Sequence, residues 1–543
     1  PKEEQGESHW LLDHFEQDRE EVRRRVLQTL QGALAIVRLN AANKIAELKR
    51  ASAQSAASSS EESKDSAMSP LAARLSQAFE TLTEGLVERT VEAKLLLLAA
   101  LSGEHLFLLG PPGTAKSLLA RRLATVCRGE FFERLLTRFS VPEEMFGPLS
   151  LRALENDELR RKVEGFLPTA DVAFLDEVFK ANSSILNALL TLLNERIFDN
   201  GGERIDVPLW CAVAASNELP ESDELEALFD RFLLRRAVPR VSDAQVPFFL
   251  RCSLDANAAA YEEAASSSQK MEDVPRLSAR DSEEARRLAA ESVKFPDRLL
   301  DLIVGLRAYL RDEAEPPVRL SDRRMGKAVR LIRLAAFAAG SNEVSELDLL
   351  LLQHMCWDKE PSQAGEVRVW LLERMRNAHN DDSEKDVVDQ ARYFLDGIRT
   401  RLQTRRHTST EVNRGRKDIA ALRTPLEDGL RTRLARLQQL KRQFSGALDQ
   451  RLFWLEAEDI EEARNVLIPT AEQAVQRAEE CLIEVLELQG ALEINEAEAR
   501  KLCLESLLGD FDGGQDLQDS LDKVNRMASR RMPRDLPLLD SSP

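Results

Sequence analysis

Between residues 106 and 217 the chain repeats one arrangement, in which a short apolar run ends in residues able to handle phosphate or metal. LFLL (106–109) runs into GPPGTAKS (110–117), VAFL (172–175) into Asp176-Glu177, and LWCAVAAS (209–216) into Asn217. With FFERLL (131–136), these runs alternate with amphipathic helical stretches from residue 71 to about 240. Such runs are buried strands, and strands alternating with helices build a parallel sheet covered by helices on both faces. The expected fold class is therefore α/β, a doubly wound parallel sheet over residues 71–245.

The flanking segments read differently. Residues 1–50 carry Phe15, Val22, Val26, Leu30, Leu34 and Val37 at helical spacing, which predicts an amphipathic helix. The segment 51–70, rich in Ser and Ala, predicts a flexible linker. Residues 246–364 show no strand signal after the core and predict an all-α lid. From 365 to 509 the pattern is that of long helices, basic over 399–417 and acidic over 453–500, which suggests an antiparallel hairpin or coiled coil. These charged faces are equally compatible with solvated surfaces. The tail 510–543 predicts a frayed end. Because the core and lid motifs all lie upstream of about residue 365, that part is expected to fold alone.

Phosphate binding needs backbone N–H groups at a helix N-terminus, a cation for the phosphates and a hydroxyl for Mg²⁺. The loop supplies all three. Gly110, Pro111, Pro112, Gly113, Thr114, Ala115 and Leu118 shape it, Lys116 reaches phosphate oxygens, and Ser117 ligates Mg²⁺. Ala115 stands where the usual loop has glycine, which is tolerable if its φ is negative as the helix begins. At the end of VAFL, Asp176 would hold the metal through its water shell and Glu177 would polarise an attacking water. Asn217 would lie between the two motif strands, although Asn before ELPE also suits a plain turn. LEALFDRFLLR (225–235) is expected to be a short helix presenting Arg231. This residue could complete a neighbouring subunit's site as an arginine finger, or pair with Asp230 on the surface.

GPPGTAKS, VAFLDE, AASNELPE and LEALFDRF, in this order and spacing, resemble the MoxR family of AAA+ ATPases, with closest likeness to its regulatory ATPase (RavA) branch. Further matching stretches are GLVERTVEAKLLLLAALSGEHLFLLG (85–110), TRFSVPEEMFGPLSL (137–151), GFLPTADVAFLDEVFKA (165–181), ILNALLTLLNER (185–196) and LSDRRMGKAVRLIRLAAFAAG (320–340). Members of that family also carry alanine in the phosphate loop. The resemblance covers about 72–360 and implies ATP and Mg²⁺ as cofactors. It also implies Lys116-Ser117 as Walker A, Asp176-Glu177 as Walker B, Asn217 as sensor 1 and Arg231 as arginine finger. It gives Arg323 of the lid as sensor 2, with Arg324 as its possible substitute, and sets Leu86–Arg89 beside the adenine. Family members assemble as hexameric rings and act as chaperone-like remodellers, often with a partner carrying a von Willebrand factor A domain. The regulatory branch also inserts a small β-domain that docks on a lysine decarboxylase. Residues 380–450 show no alternating strands, so that partner is not expected.

The net charge of −18 and the low aromatic content, 5%, disfavour nucleic-acid binding, for which a helicase or clamp-loader part would need basic and aromatic stripes. No apolar run approaches the roughly 20 residues of a membrane helix. Six scattered cysteines and six scattered histidines give no metal spacing and suggest reduced, buried thiols. These features predict a cytoplasmic protein, or one of an organelle stroma or matrix. The alternative function is a nucleotide-dependent oligomeric scaffold that binds through its C-terminal helices. It would not need both Glu177 and Arg231. The client is not legible.

Overall fold

The computed structural model describes residues 32–54, 70–254, 276–380, 382–403, 409–445 and 452–494, with Arg24, Gln28, Arg500, Leu504 and Leu507 as single further positions. Most of the segment 51–70, and all of the tail 510–543, lie outside the described residues. The chain divides into two compact units. One combines Pro1–Lys64, Asn377–Lys441 and Ile468–Pro543, and the other combines Asp65–Arg376 with Arg442–Leu467.

The larger unit holds the strands β1 (Leu106–Leu109), β2 (Phe131–Leu135), β3 (Val172–Asp176), β4 (Ile197–Asn200), β5 (Glu203–Asp206), β6 (Cys211–Ser216) and β7 (Leu234–Ala237). Five form one parallel sheet in the order β2-β3-β6-β1-β7. Every residue of β6 and the first four of β3 are buried, as expected of central strands covered on both faces. The order sets β6 between β1 and β3. The ends of the three motif-bearing strands are therefore adjacent, as the sequence predicts for Asn217.

The helix Ser183–Glu195 spans the sheet from the end that bears Glu177. Asn182 caps it by accepting from Ile185 N, and Ile185, Leu186, Leu189, Leu192 and Leu193 form its buried stripe. Full burial of one such leucine contributes about 1.5–3 kcal/mol, and Leu189→Ala would cost about 2–5 kcal/mol through the cavity it leaves. The helix stops at Arg196 in a left-handed conformation, φ 58°, and returns the chain to the N-terminal edge of the sheet. There His105 Nε2 lies 3.0 Å from Leu193 O and its Nδ1 accepts from Ala212 N at 3.0 Å.

Three features differ from expectation. The helix proposed for 225–235 ends at Phe229, and Leu234–Ala237 is the fifth strand. Arg235 and Arg236 disguise that strand, yet each has its carboxylate: Asp358 for Arg235, Glu92 and Glu456 for Arg236. The hairpin β4–β5 was not expected. Gly201 turns it at φ 70°, and a side chain at that position would strike Leu159 O, 2.5 Å from the ideal Cβ. Finally, the unit does not close at residue 365. Trp454 Nε1 donates to Ala335 O at 3.0 Å, Lys94 Nζ donates to Leu455 O at 2.8 Å, and Phe453 packs edge-on against Phe79. Arg442–Leu467 is thus part of the core that was expected to stand without it.

In the other unit the described residues are helical. Lys441 pairs with Glu472, Arg423 donates to Gln489 and Arg416 donates to Leu492 O, so 409–441 runs antiparallel to 468–493. Arg399 adds an ion pair to Glu484 at 3.1 Å. The N-terminal helix joins the same bundle: Lys49 pairs with Glu479 at 2.7 Å, and Val37 packs against Gly490.

Candidate functional site

Gly110 closes β1 by donating to Ser216 O at 3.0 Å. Val238 O lies 2.5 Å from where its Cβ would be, so only glycine fits there. Pro111 and Pro112 carry the chain out to Gly113, whose φ of 81° is open to glycine and which has no atom within 4 Å of its ideal Cβ. Thr114 ties the loop to itself, Oγ1 donating to Pro111 O at 3.0 Å. Ala115 then takes φ 65°, ψ 20°. Its expected negative φ is overturned: the loop keeps its left-handed turn although glycine is absent, at a cost of about 1–2 kcal/mol. Lys116, Ser117 and Leu118 open the helix Lys116–Val126, whose first N–H groups face the loop.

Lys116 Nζ donates to Gly110 O at 2.7 Å and to Pro111 O at 2.9 Å. Burial lowers its pKa, while Asp176 and Glu177 pull it back up. The two motifs therefore share one electrostatic site. Asp176 Oδ1 accepts from Glu177 N at 3.0 Å, and burial raises the Asp176 carboxyl above its ordinary range. Glu177 sits in the left-handed region, φ 52°, ψ 44°, at the start of the turn Val178–Lys180. Its Oε2 is buried without a hydrogen bond, although Lys180 Nζ lies 3.3 Å away outside hydrogen-bond geometry. The Glu177 carboxylate is thus ion-paired with Lys180 but keeps one oxygen without a hydrogen bond, on a backbone in the sparsely populated left-handed region. Asn217 is exposed at the end of β6.

A second charged group forms at the opposite edge of the sheet. Arg323 donates to Asp230 Oδ2 at 2.7 Å and to Asn194 Oδ1 at 2.5 Å. Arg231 Nη1 donates to Ala227 O at 3.0 Å, its Nε is buried without a partner, and the Arg323 cation is one cause of its lowered pKa, after burial. Asp230 is thus bridged to Arg323 and Ser321 Oγ rather than paired with Arg231. Asn194 follows Leu193, which meets His105 at the start of β1, and Leu234 N donates to His105 O at 3.1 Å. The five steps from His105 to Gly110 span about 17 Å at about 3.3 Å each. Arg231 and Arg323 are therefore together near the start of β1, at the end opposite the phosphate loop.

Arg324 is not interchangeable with Arg323. It is buried, donating to Met355 O, Trp357 O and Asp358 Oδ1. The same Asp358 takes Arg235, whose pKa burial and the Arg324 cation lower to about 9. One carboxylate thus joins strand β7 to the lid helix Asp322–Ala338. Asp358 went unread in the sequence, and the partners that Asp230, Asp358 and the buried Arg89 find lie 93, 123 and 150 residues away.

The model of the MoxR domain in the MoxR–vWA–β-propeller ternary systems matches residues 73–279, and that of an AAA lid domain matches 298–371. Two uncharacterized proteins of Methanocaldococcus jannaschii are similar to this chain. One is 38% identical over 295 residues and the other 39% over 293. Each match takes 54% of this chain, covering 74% and 72% of those proteins. The chain belongs to the MoxR family of AAA+ ATPases. The chaperone MoxR1 of Mycobacterium tuberculosis is 31% identical over 147 residues, 26% of this chain and 37% of that protein. The MoxR match contains Lys116, Asp176, Glu177, Asn217 and Arg231, and the lid match contains Arg323. Among the described residues no cluster of His, Cys, Asp and Glu suits a further metal, and no helix is long and apolar enough to cross a membrane.

Proposed function

We propose that this MoxR-family chain hydrolyses Mg-ATP as one subunit of a six-membered ring and uses the cycle to remodel protein complexes. The observation that carries this is the split of its charges between the two sheet edges. Lys116, Asp176 and Glu177 share one edge, while Arg231 and Arg323 share the other. The first edge fits Mg-ATP: an open glycine turn, a helix N-terminus, a cation, a hydroxyl, a carboxylate and one carboxylate oxygen without a hydrogen bond. Bound Mg²⁺ neutralises phosphate charge and orients the γ-phosphoryl group.

Lys116 exchanges its two loop carbonyls for phosphate oxygens. Ser117 and Asp176 hold the metal side. Glu177, fixed by its strained backbone, orients and polarises the attacking water, and Asn217 steadies that water from between the motif strands. Arg231 and Arg323 of one subunit reach the site of the next and stabilise charge on the transferring phosphoryl group. A partner with a von Willebrand factor A domain would receive the motion, in keeping with the systems from which the matched domain takes its description.

Glu177→Gln tests this most simply. Turnover should fall about 10²–10⁴-fold, the usual worth of a positioned general base, while ATP affinity stays within a few-fold. Near-normal hydrolysis removes the catalytic assignment. Loss of ATP binding makes Glu177 part of the metal or structural framework instead.

A further inference from the structure

Arg89 lies in the segment expected to border the adenine, yet its side chain is turned into the protein. It is 3% exposed and spends its donors on three backbone carbonyls from three places in the chain. Nε donates to Thr114 O at 3.0 Å, Nη1 to Glu88 O at 2.6 Å and Nη2 to Pro239 O at 2.8 Å. Its neighbour Glu88, itself at φ 55°, accepts from Ser242 N at 2.7 Å and Ser242 Oγ at 2.5 Å. Glu88-Arg89 is thus a clasp between the phosphate loop and the chain leaving β7. That exit also supplies Val238 O, which crowds Gly110.

The bond to Thr114 O bears on the one irregular residue of the loop. A trans peptide points its C=O and the next N–H in opposite directions. Holding Thr114 O therefore turns the Ala115 N–H away from Arg89, and fixes the peptide that enters the left-handed Ala115. Glycine would take that turn unaided, whereas alanine needs it imposed.

We propose that Arg89 is a positioning residue that holds the phosphate loop in its binding conformation and thereby makes alanine workable at position 115. The proposal rests on the nucleotide-binding function proposed above. Arg89 touches no nucleotide in this account. It acts through the Thr114–Ala115 peptide, and its cation also lies close enough to lower the Lys116 pKa further, as the least of four influences.

The test is a double-mutant cycle on the full chain, reading Mg-ATP affinity with a fluorescent ATP analogue and thermal melting in parallel. Arg89→Met keeps the stem and removes the donors, and should weaken the analogue about tenfold or more, one unsatisfied hydrogen bond being worth about that factor. Ala115→Gly placed on Arg89→Met should recover at least fivefold, because glycine adopts the turn without the clamp. Should Arg89→Met fail to fold, Arg89→Lys, which reaches fewer acceptors, takes its place in the cycle. Additive effects of the two substitutions overturn the proposal and leave Arg89 a general support of the fold. Undiminished affinity in the Arg89 variant overturns it as well. If the unmutated protein does not bind the analogue, the nucleotide function fails first and this proposal with it.

Discussion

The two edges of the central sheet hold similar charges in different ways. At the C-terminal edge Lys116 faces two carboxylates, Asp176 and Glu177, and its ammonium rests on carbonyls of its own loop. At the N-terminal edge the ratio is reversed. Arg323 takes Asp230, the neighbouring Arg231 has no carboxylate within ion-pair distance among the described residues, and its Nε is buried without a partner. One edge therefore has surplus negative charge beside a cation that can be redirected, and suits a polyphosphate with its metal. The other carries surplus positive charge at the end of the sheet opposite the phosphate loop. On the function proposed above, neither edge alone is a complete phosphoryl-transfer site.

The largest expected effect comes from the N-terminal edge. Arg231→Ala should lower ATPase activity about 10³–10⁵-fold, the usual worth of an arginine finger, with ATP still bound. Retention of most turnover in steady-state assays would reduce Arg231 to a structural cation. The next effect concerns how that edge is held. Asp358→Asn strands Arg235 and Arg324 as buried cations and should cost about 3–5 kcal/mol of stability by denaturant titration. A loss under about 1 kcal/mol would show that solvent already screens the pair. The smallest effect belongs to the C-terminal edge. Burial raises the folded-state pKa of Asp176, so its ionised form costs stability at neutral pH, and the cost disappears as pH falls through that raised pKa. Asp176→Asn should therefore melt slightly higher at neutral pH, with no gain in acid, while losing Mg²⁺-dependent ATP binding. A lower melting temperature at neutral pH would contradict the sign.

Much of the C-terminal edge could be read from the chain. Each of the three motif strands that end there, β1, β3 and β6, is an apolar run with its motif residue at or directly after its end, so burial and chemistry are adjacent in sequence. The N-terminal edge depends on contacts between distant segments. Strand β7 begins with leucines but continues through Arg235 and Arg236, whose charges are tolerable only because Asp358, Glu92 and Glu456 meet them. Without those partners in view the segment reads as the end of a helix. The hairpin β4–β5 did leave a local sign, Asn200-Gly201-Gly202 between two short strands, of the kind that turns tight hairpins. Ala115 shows the limit of local rules, because propensity favours a negative φ while a buried arginine 26 positions earlier holds the peptide before it. Trp454 and its neighbours read as a continuing helix, although their apolar faces complete the core.

The claim that each site is assembled from two subunits is tested by mixing two inactive proteins. Arg231→Ala keeps an intact phosphate loop, and Lys116→Ala keeps an intact arginine edge. Co-assembled rings, verified by mass photometry, contain some interfaces at which one subunit supplies the loop and its neighbour the arginine. The account predicts ATP hydrolysis by the mixture well above that of either variant alone. A mixed ring as inactive as its two components would contradict it.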